Sequence, residues 1–281
     1  MLDTTSVRTL VSRDVPEALA ILDADPVPNV FVASRVHAAG DGGVLRLSGE
    51  LWGYWEADRL VSLCYAGANL VPVAATPAAV EAFAERARAR GRRCSAIVGP
   101  AEAVDGLWSR LRESWGPARE ERMNQPLLSI DGPPLVEPDR MVRMARRRDI
   151  DALLPASIAM FTEEVGVSPV GDDGGALYRS GLTDLVIAGR SFVRIEAGRV
   201  VFKAEAGAVT PYACQVTGVW VNPALRGRGL SVGGMAAVVA LARRHLAPVV
   251  SLYVNHYNAA ALAAYRRVGF REVGRFASVL F

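Results

Sequence analysis

The alternation of apolar and polar positions predicts short strands and amphipathic helices in regular exchange. Val7–Val11 reads as a strand, and Asp14-Val15-Pro16 opens a helix, with Asp14 as its N-cap and Pro16 in its first turn. Asp23–Pro28 interrupts that helix, Asn29–His37 predicts a second one, and Gly40–Gly43 a loop. Leu51–Ala57 and Leu60–Tyr65 read as two strands joined at Asp58. Thr76-Pro77 starts a helix running to Arg90, where arginines in the last turn and Gly91 mark its end. Cys94–Val98 is a short strand. Val104, Leu107, Trp108 and Leu111 then recur at three- and four-residue spacing on one helical face. Gln125–Ile130 reads as a strand, and Asp131-Gly132-Pro133-Pro134, with Pro138 beyond it, as a linker.

After that linker the pattern begins again. Val142-Arg143 leads through Arg148-Asp149 into a helix containing Leu153 and Leu154, as Val7-Arg8 leads through Arg13-Asp14. Glu56-Ala57-Asp58-Arg59, ending in Ala66-Gly67-Ala68, parallels Glu196-Ala197-Gly198-Arg199, ending in Ala206-Gly207-Ala208, at constant offset. Matched residue types at fixed spacing predict an internal duplication.

The two halves differ where chemistry would sit. In the second, the apolar run Val219-Trp220-Val221 meets the turn Asn222-Pro223. Arg226-Gly227-Arg228-Gly229-Leu230-Ser231 follows, and then an apolar segment from Val232 to Ala242. This reads as strand, tight loop and helix start. Glycines let backbone N–H groups point inward, and a helix N-terminus adds unpaired donors and partial positive charge. The product is an anion site suited to a pyrophosphate, with two arginines adding charge. No Gly-Lys-Ser/Thr follows, so it is not a Walker loop, and it is not the dinucleotide pattern G-x-G-x-x-G. The first half has only Pro72–Pro77 at this place.

The loop resembles motif A of the GCN5-related N-acetyltransferases (GNAT), Arg/Gln-x-x-Gly-x-Gly/Ala. Arg226 and Gly229 match, and Ser231 stands where Gly or Ala is usual. Asn258 to Phe270, reading NAAALAAYRRVGF, resembles motif B of the same family, Asn-x-x-Ala-x-x-Leu-Tyr-x-x-x-Gly-Phe, with only the Leu changed, to Ala264. It follows the short apolar strand Val249–Val254, as the family requires. The first half lacks both motifs. The organisation is similar to tandem GNAT proteins with one degenerate half. The mycothiol synthases are such a group, although no motif specific to that activity is present. It looks closer to actinobacterial GNAT proteins that carry an uncharacterised N-terminal domain.

The resemblance implies an α/β (α+β) chain of two tandem GNAT-like domains, each a mixed, mostly antiparallel sheet flanked by helices. Residues 1–130 would be the degenerate domain, 131–140 the linker and 141–281 the acetyltransferase. It implies acetyl-CoA as donor and an amine of a small molecule or peptide as acceptor. The backbone of Val219, Trp220 and Val221 would pair with the pantetheine arm. Arg226 would meet the phosphates, and Gly227, Arg228, Gly229, Leu230, Ser231 and Val232 would cradle the pyrophosphate. Asn258 would bond the pantetheine, cap a helix, or do both. Tyr265 would protonate the departing thiolate.

The general base stays open. The strands Tyr212–Val221 and Val249–Val254 hold no Asp or Glu. Glu205 on the neighbouring strand, Glu163 and Glu164 in the acceptor region, and a water chain are the candidates. Phe161–Gly175 is acidic and glycine-rich, and its Glu163, Glu164, Asp172 and Asp173 would favour a cationic acceptor if they faced the cleft. The rival reading is an acyl-CoA-binding sensor without turnover, and another makes the first half a platform for a partner or a homodimer, which would need an exposed apolar patch.

Composition narrows the classes. The chain has 281 residues, of which 51% are hydrophobic and 22% charged, with a net charge of +3, too small to argue for nucleic acid. No apolar run reaches the length of a membrane span, and no signal peptide is visible. Three cysteines without paired spacing suit a reducing cytoplasm, and His37, His245 and His256 show no metal-ligand pattern. Lys203 is the only lysine.

Overall fold

A computed structural model describes residues 6–40 and 47–281; most of the expected loop Gly40–Gly43 lies outside the described residues. In chain order the elements are β1 (Ser6–Thr9), α1 (Val15–Ala24), α2 (Pro26–Ala39), β2 (Gly49–Glu56), β3 (Arg59–Gly67), β4 (Asn69–Val73) and α3 (Pro77–Arg90). Then come β5 (Ala96–Pro100), α4 (Ala101–Trp115), β6 (Glu120–Ile130), β7 (Arg143–Met144), α5 (Ile150–Val165) and α6 (Ala176–Ile187). The chain finishes with β8 (Ser191–Glu196), β9 (Arg199–Val209), β10 (Ala213–Val221), α7 (Leu230–His245), β11 (Val249–Tyr253), α8 (Ala259–Val268) and β12 (Arg271–Leu280).

Two compact units result. The first comprises the described part of Met1–Leu127 with Tyr253–Tyr257 and Glu272–Phe281; the second comprises Leu128–Leu252 with Asn258–Arg271. In the first, the strands run in the order β1-β2-β3-β4-β5-β12-β6. β4 and β5 are parallel, while β1 through β4 and the β5–β12 pair are antiparallel. In the second, the order is β7-β8-β9-β10-β11, antiparallel except for β10 with β11. This is the mixed, mostly antiparallel α/β architecture expected, with helices flanking the strands.

The sequence echo is a structural echo. Arg8 donates two hydrogen bonds to Asp14, at 2.6 and 2.8 Å, and Arg143 repeats this with Asp149 at 2.6 and 3.0 Å. The β2–β3 hairpin turns at Ala57 and Asp58, with φ of 46° and 64°, and β8–β9 turns at Ala197 and Gly198, with 46° and 73°. Two consecutive left-handed residues match the right-handed twist of the strands they join. Each hairpin also slips register just before its turn, at Tyr54/Trp55 and at Arg194/Ile195.

Asp14 does not cap α1 with its side chain as expected. Its carboxylate reaches back to the Val11 N–H at 2.8 Å and to Arg8. The Thr76 and Gly91 signals hold: Thr76 Oγ1 accepts from the Ala79 N–H at 3.2 Å, and Gly91 leaves α3 with φ of 69°. Helix α6, within a region without a clear apolar period, was not expected, nor were β4 and β12.

The second unit's core is built on one face of β9 and β10. Leu153, Met160, Leu182, Val186, Val193, Val200 and Trp220 form one buried cluster. Against another face lies α7, whose Met235, Ala236, Val238 and Val239 are fully buried. Gly234 lets α7 approach: a Cβ there would stand 2.7 Å from the Phe202 ring. That packing fixes where the first turn of α7 opens.

Candidate functional site

Strand β10 changes partners along its length. It pairs in parallel with β11 only at Ala213↔Val249, Cys214↔Val250 and Gln215↔Ser251, yet continues to Val221. On its other side it follows β9 throughout, with irregularities at Gln215/Val216 and between Thr217 and Trp220. Gly218, at φ of 59°, forms that second bulge. The strand therefore parts from β11 after Gln215 and leaves an edge at Val216–Val221 that a further extended chain can pair with. Trp220 turns its indole into the core, while Val219 and Val221 are half-buried on the other face. Only their backbone is free to serve a ligand along that edge.

The loop beyond has the conformation its glycines predict. Asn222 Oδ1 accepts from the Ala224 N–H at 3.1 Å and caps a short turn over Pro223–Leu225. Gly227 and Gly229 have φ of 77° and 75°, with open space around both. Gly229 is the N-cap of α7, so Leu230, Ser231 and Val232 form the first turn of a 16-residue helix, half-buried and facing the exposed loop. The first N–H groups of a helix have no partner within it, and a helix N-terminus carries partial positive charge, a combination that favours anions.

The two arginines part company here. Arg228 is exposed and makes no ion pair among the described residues. Arg226 instead donates both guanidinium ends to Glu163, each at 2.7 Å, and its Nε to the Val221 carbonyl at 3.1 Å. The pairing holds the Glu163 carboxyl below its usual range and raises Arg226. Glu163 thus faces the loop arginine.

Asn258 is the N-cap of α8, its Oδ1 accepting from the Ala261 N–H at 3.1 Å. Seven residues on, Tyr265 is buried at 7% exposure, with its ring edge-on to Phe270. Its hydroxyl has no hydrogen-bond partner among the described residues. Desolvation, with the charge of Glu164 adding to it, pushes that hydroxyl well above the usual phenol range, so it remains a neutral proton donor.

A cavity of about 750 Å³ lies against α6, lined by Pro169, Asp172, Leu177, Tyr178, Leu182 and Glu205, among others. Glu205 is 9% exposed, and its Oε1 stands 2.7 Å from Nζ of the fully buried Lys203. Gly218 covers the pair: a Cβ there would stand 3.2 Å from Glu205 Oε2 and 3.3 Å from Lys203 Nζ. Tyr178 donates to the Ser157 carbonyl at 3.0 Å, and burial with nearby Glu205 and Glu164 pushes its hydroxyl up to about 12. Glu164, exposed at the end of α5, is thus the carboxylate whose field reaches both tyrosines.

Tyr178 and Gly218 were not anticipated. The available signal for Tyr178 was Asp173, which accepts from the Gly175 and Leu177 N–H groups at 2.9 and 2.7 Å and so starts α6. Among the described residues no group of three or more His, Cys, Asp or Glu side chains could hold a metal ion, and no helix is long and apolar enough to cross a membrane.

Residues 49–153 match a family described as a domain of unknown function (DUF4081), and residues 187–270 match the acetyltransferase (GNAT) family. Among curated proteins none matches this chain. A GNAT-family acetyltransferase from Colwellia psychrerythraea is 13% identical, with 98% of this chain and 99% of that one aligned at a TM-score of 0.59. A GCN5-related N-acetyltransferase from Sphaerobacter thermophilus is 18% identical over 98% and 94% of the two chains, with a TM-score of 0.58. A tandem GNAT protein from the clavulanic acid biosynthesis pathway is 14% identical over 99% and 98%, with a TM-score of 0.53. At these identities the solved structures share the fold alone. The split of β10 from β11, the glycine loop and the α8 tyrosine all lie within the stretch that matches the family. Residues 187–270 are thus similar to the acetyltransferase (GNAT) family, and the whole chain shares its fold with solved GNAT structures.

Proposed function

We propose that the chain is an N-acetyltransferase that moves an acetyl group from acetyl-CoA to an amine, with residues from about 141 onward supplying the site. The observation that carries this is the edge of β10 beyond Gln215, which runs directly into the left-handed glycine loop and the first turn of α7. When bound, acetyl-CoA supplies an activated acetyl thioester. The β10 edge at Val219–Val221 offers backbone groups to the pantetheine arm. Gly227, Gly229 and the N–H groups of Leu230–Val232 take the pyrophosphate, with Arg228 adding charge. Arg226 acts through Glu163 and the Val221 carbonyl, bracing the loop. Asn258 holds the start of α8, and so the height of Tyr265. Tyr265 keeps its proton until a thiolate develops beside it. The first half, residues 1–130, has only Pro72–Pro77 at the corresponding place and serves as a support without donor chemistry. Three buried, unpaired thiols suit a cytoplasmic setting.

Calorimetric titration with acetyl-CoA, followed by thiol release against a panel of amines, tests the reading. One site per chain with release is expected. Binding without release favours the sensor reading, and absence of binding overturns the assignment of Arg226–Val232.

A further inference from the structure

The α6 cavity has a composition that selects. Its walls are Pro169, Leu177, Leu182 and Leu185, all apolar. Its charged lining groups are Asp172, Asp173 and Glu205, with no cation among them. Lys203 stands behind Glu205, fully buried, and offsets the charge of Glu205 itself, which leaves Asp172 and Asp173 as the net negative charge of the lining. Asp173 is engaged at the start of α6, so its charge is anchored. A cavity of about 750 Å³ matches a small molecule, for which sites typically span roughly 300–1,000 Å³.

Glu205 also has a position that matters. On β9 it lies opposite Thr217, one step before the Gly218 bulge, and its second oxygen approaches the β10 backbone there. It therefore touches both the cavity and the underside of the strand whose outer edge departs from β11. A cation held at Glu205 lies close to that departure point, with its apolar remainder among the leucines.

We infer that this cavity takes a primary amine carried on a compact apolar body, such as an alkylamine or arylalkylamine, with Asp172 and Asp173 supplying the net negative charge and the Glu205 carboxylate accepting from the ammonium group. This rests on the acetyltransferase reading for its purpose but not for its test. An acceptor bearing a carboxylate beside the amine meets Asp172 and Asp173 with like charge. A sugar amine would bury hydroxyls against leucines without partners.

The test is direct binding to the whole protein, without donor. Hexylamine and 2-phenylethylamine are titrated calorimetrically beside phenylalanine, glucosamine and an acetyl-blocked lysine peptide. The two apolar amines are expected to bind at least tenfold more tightly than phenylalanine or glucosamine. Glu205→Gln is expected to weaken them tenfold or more while the Kd for acetyl-CoA stays within about twofold. Because that variant leaves Lys203 uncompensated, Leu177→Glu and Leu177→Arg on an exposed wall form a second pair. The glutamate is expected to tighten amine binding and the arginine to weaken it. Equal binding of glucosamine or phenylalanine, preference for the lysine peptide, or indifference to both Leu177 variants overturns the inference. Amine binding in a protein that ignores acetyl-CoA would instead remove the donor reading and leave this one standing.

Discussion

Tyr265→Phe isolates one hydroxyl. The side chain is 7% exposed, packs its ring on Phe270 and makes no hydrogen bond through its oxygen among the described residues. Removing the oxygen therefore breaks no hydrogen bond among the described residues, and the melting temperature is expected to hold or rise slightly. The chemical effect is separate. Burial and the Glu164 charge keep the phenol protonated well beyond its usual range, so the proton is present throughout neutral and mildly alkaline pH. General acid catalysis contributes about 10²–10⁴-fold. A thiol of pKa near 8.5 is a fair leaving group even unprotonated, which favours the lower end. The expected loss is about 10²-fold in kcat, or about 2.7 kcal/mol in barrier. The Kd for acetyl-CoA should stay within about twofold, since the transition state loses a partner and the ground state does not. Thiol release under saturating acceptor, from about pH 7 to pH 9, measures it. The defect should shrink toward high pH, where the thiolate needs no proton. A variant with kcat within threefold of the parent, or one whose defect lies in donor affinity, refutes the reasoning.

Other outcomes are expected. Gly229→Glu puts bulk and negative charge at a φ of 75° in the cradle, and should abolish acetyl-CoA binding by calorimetry while the far-ultraviolet spectrum is unchanged. Gly234→Val pushes against the Phe202 ring, 2.7 Å from the new Cβ, and should cost about 1–3 kcal/mol in chemical denaturation. Glu163→Ala removes an ion pair that is 52% exposed on its side and should cost under about 1 kcal/mol. By releasing Arg226 beside the loop, it should change acetyl-CoA affinity more than stability. The Asp14 carboxyl sits at about 2 in the fold, below its ordinary 3.8, chiefly through Arg8. A lowered value stabilises the fold fully above the ordinary one, and the contribution fades as pH falls toward about 2. Asp14→Asn should thus cost about 1–2 kcal/mol at neutral pH, allowing for the partly exposed Arg8, and flatten the acid limb of the stability profile.

What could be read in advance was what is local. Thr76 and Gly91 bound α3 because a cap acts within one turn. The Ala57-Asp58 and Ala197-Gly198 turns are short-range, and so is the strand–loop–helix run through Gly227 and Gly229. Tyr265 is singled out by the resemblance of Asn258–Phe270 to motif B, a pattern carried by a single helix and its cap at Asn258. Asp14 was misjudged locally: its carboxylate had a stronger partner six residues back, in Arg8, than the helix N–H groups ahead of it. Helix α6 escaped notice because its face toward the core is carried by few residues, Leu182 and Val186.

The carboxylates mark the division most clearly. Sequence alone grouped Glu163, Glu164, Asp172, Asp173 and Glu205 as acidic candidates, and gave the order of strand, glycine loop and helix that the structure shows. Only tertiary structure separated them. It turned Glu163 toward Arg226, set Glu205 on Lys203 beneath Gly218, tied Asp173 to the start of α6, and placed the Glu164 charge within reach of Tyr178 and Tyr265. A helix or loop motif depends on neighbours within a few residues. The partner of a charged side chain is chosen across strands and helices by burial and distance, which no local pattern encodes.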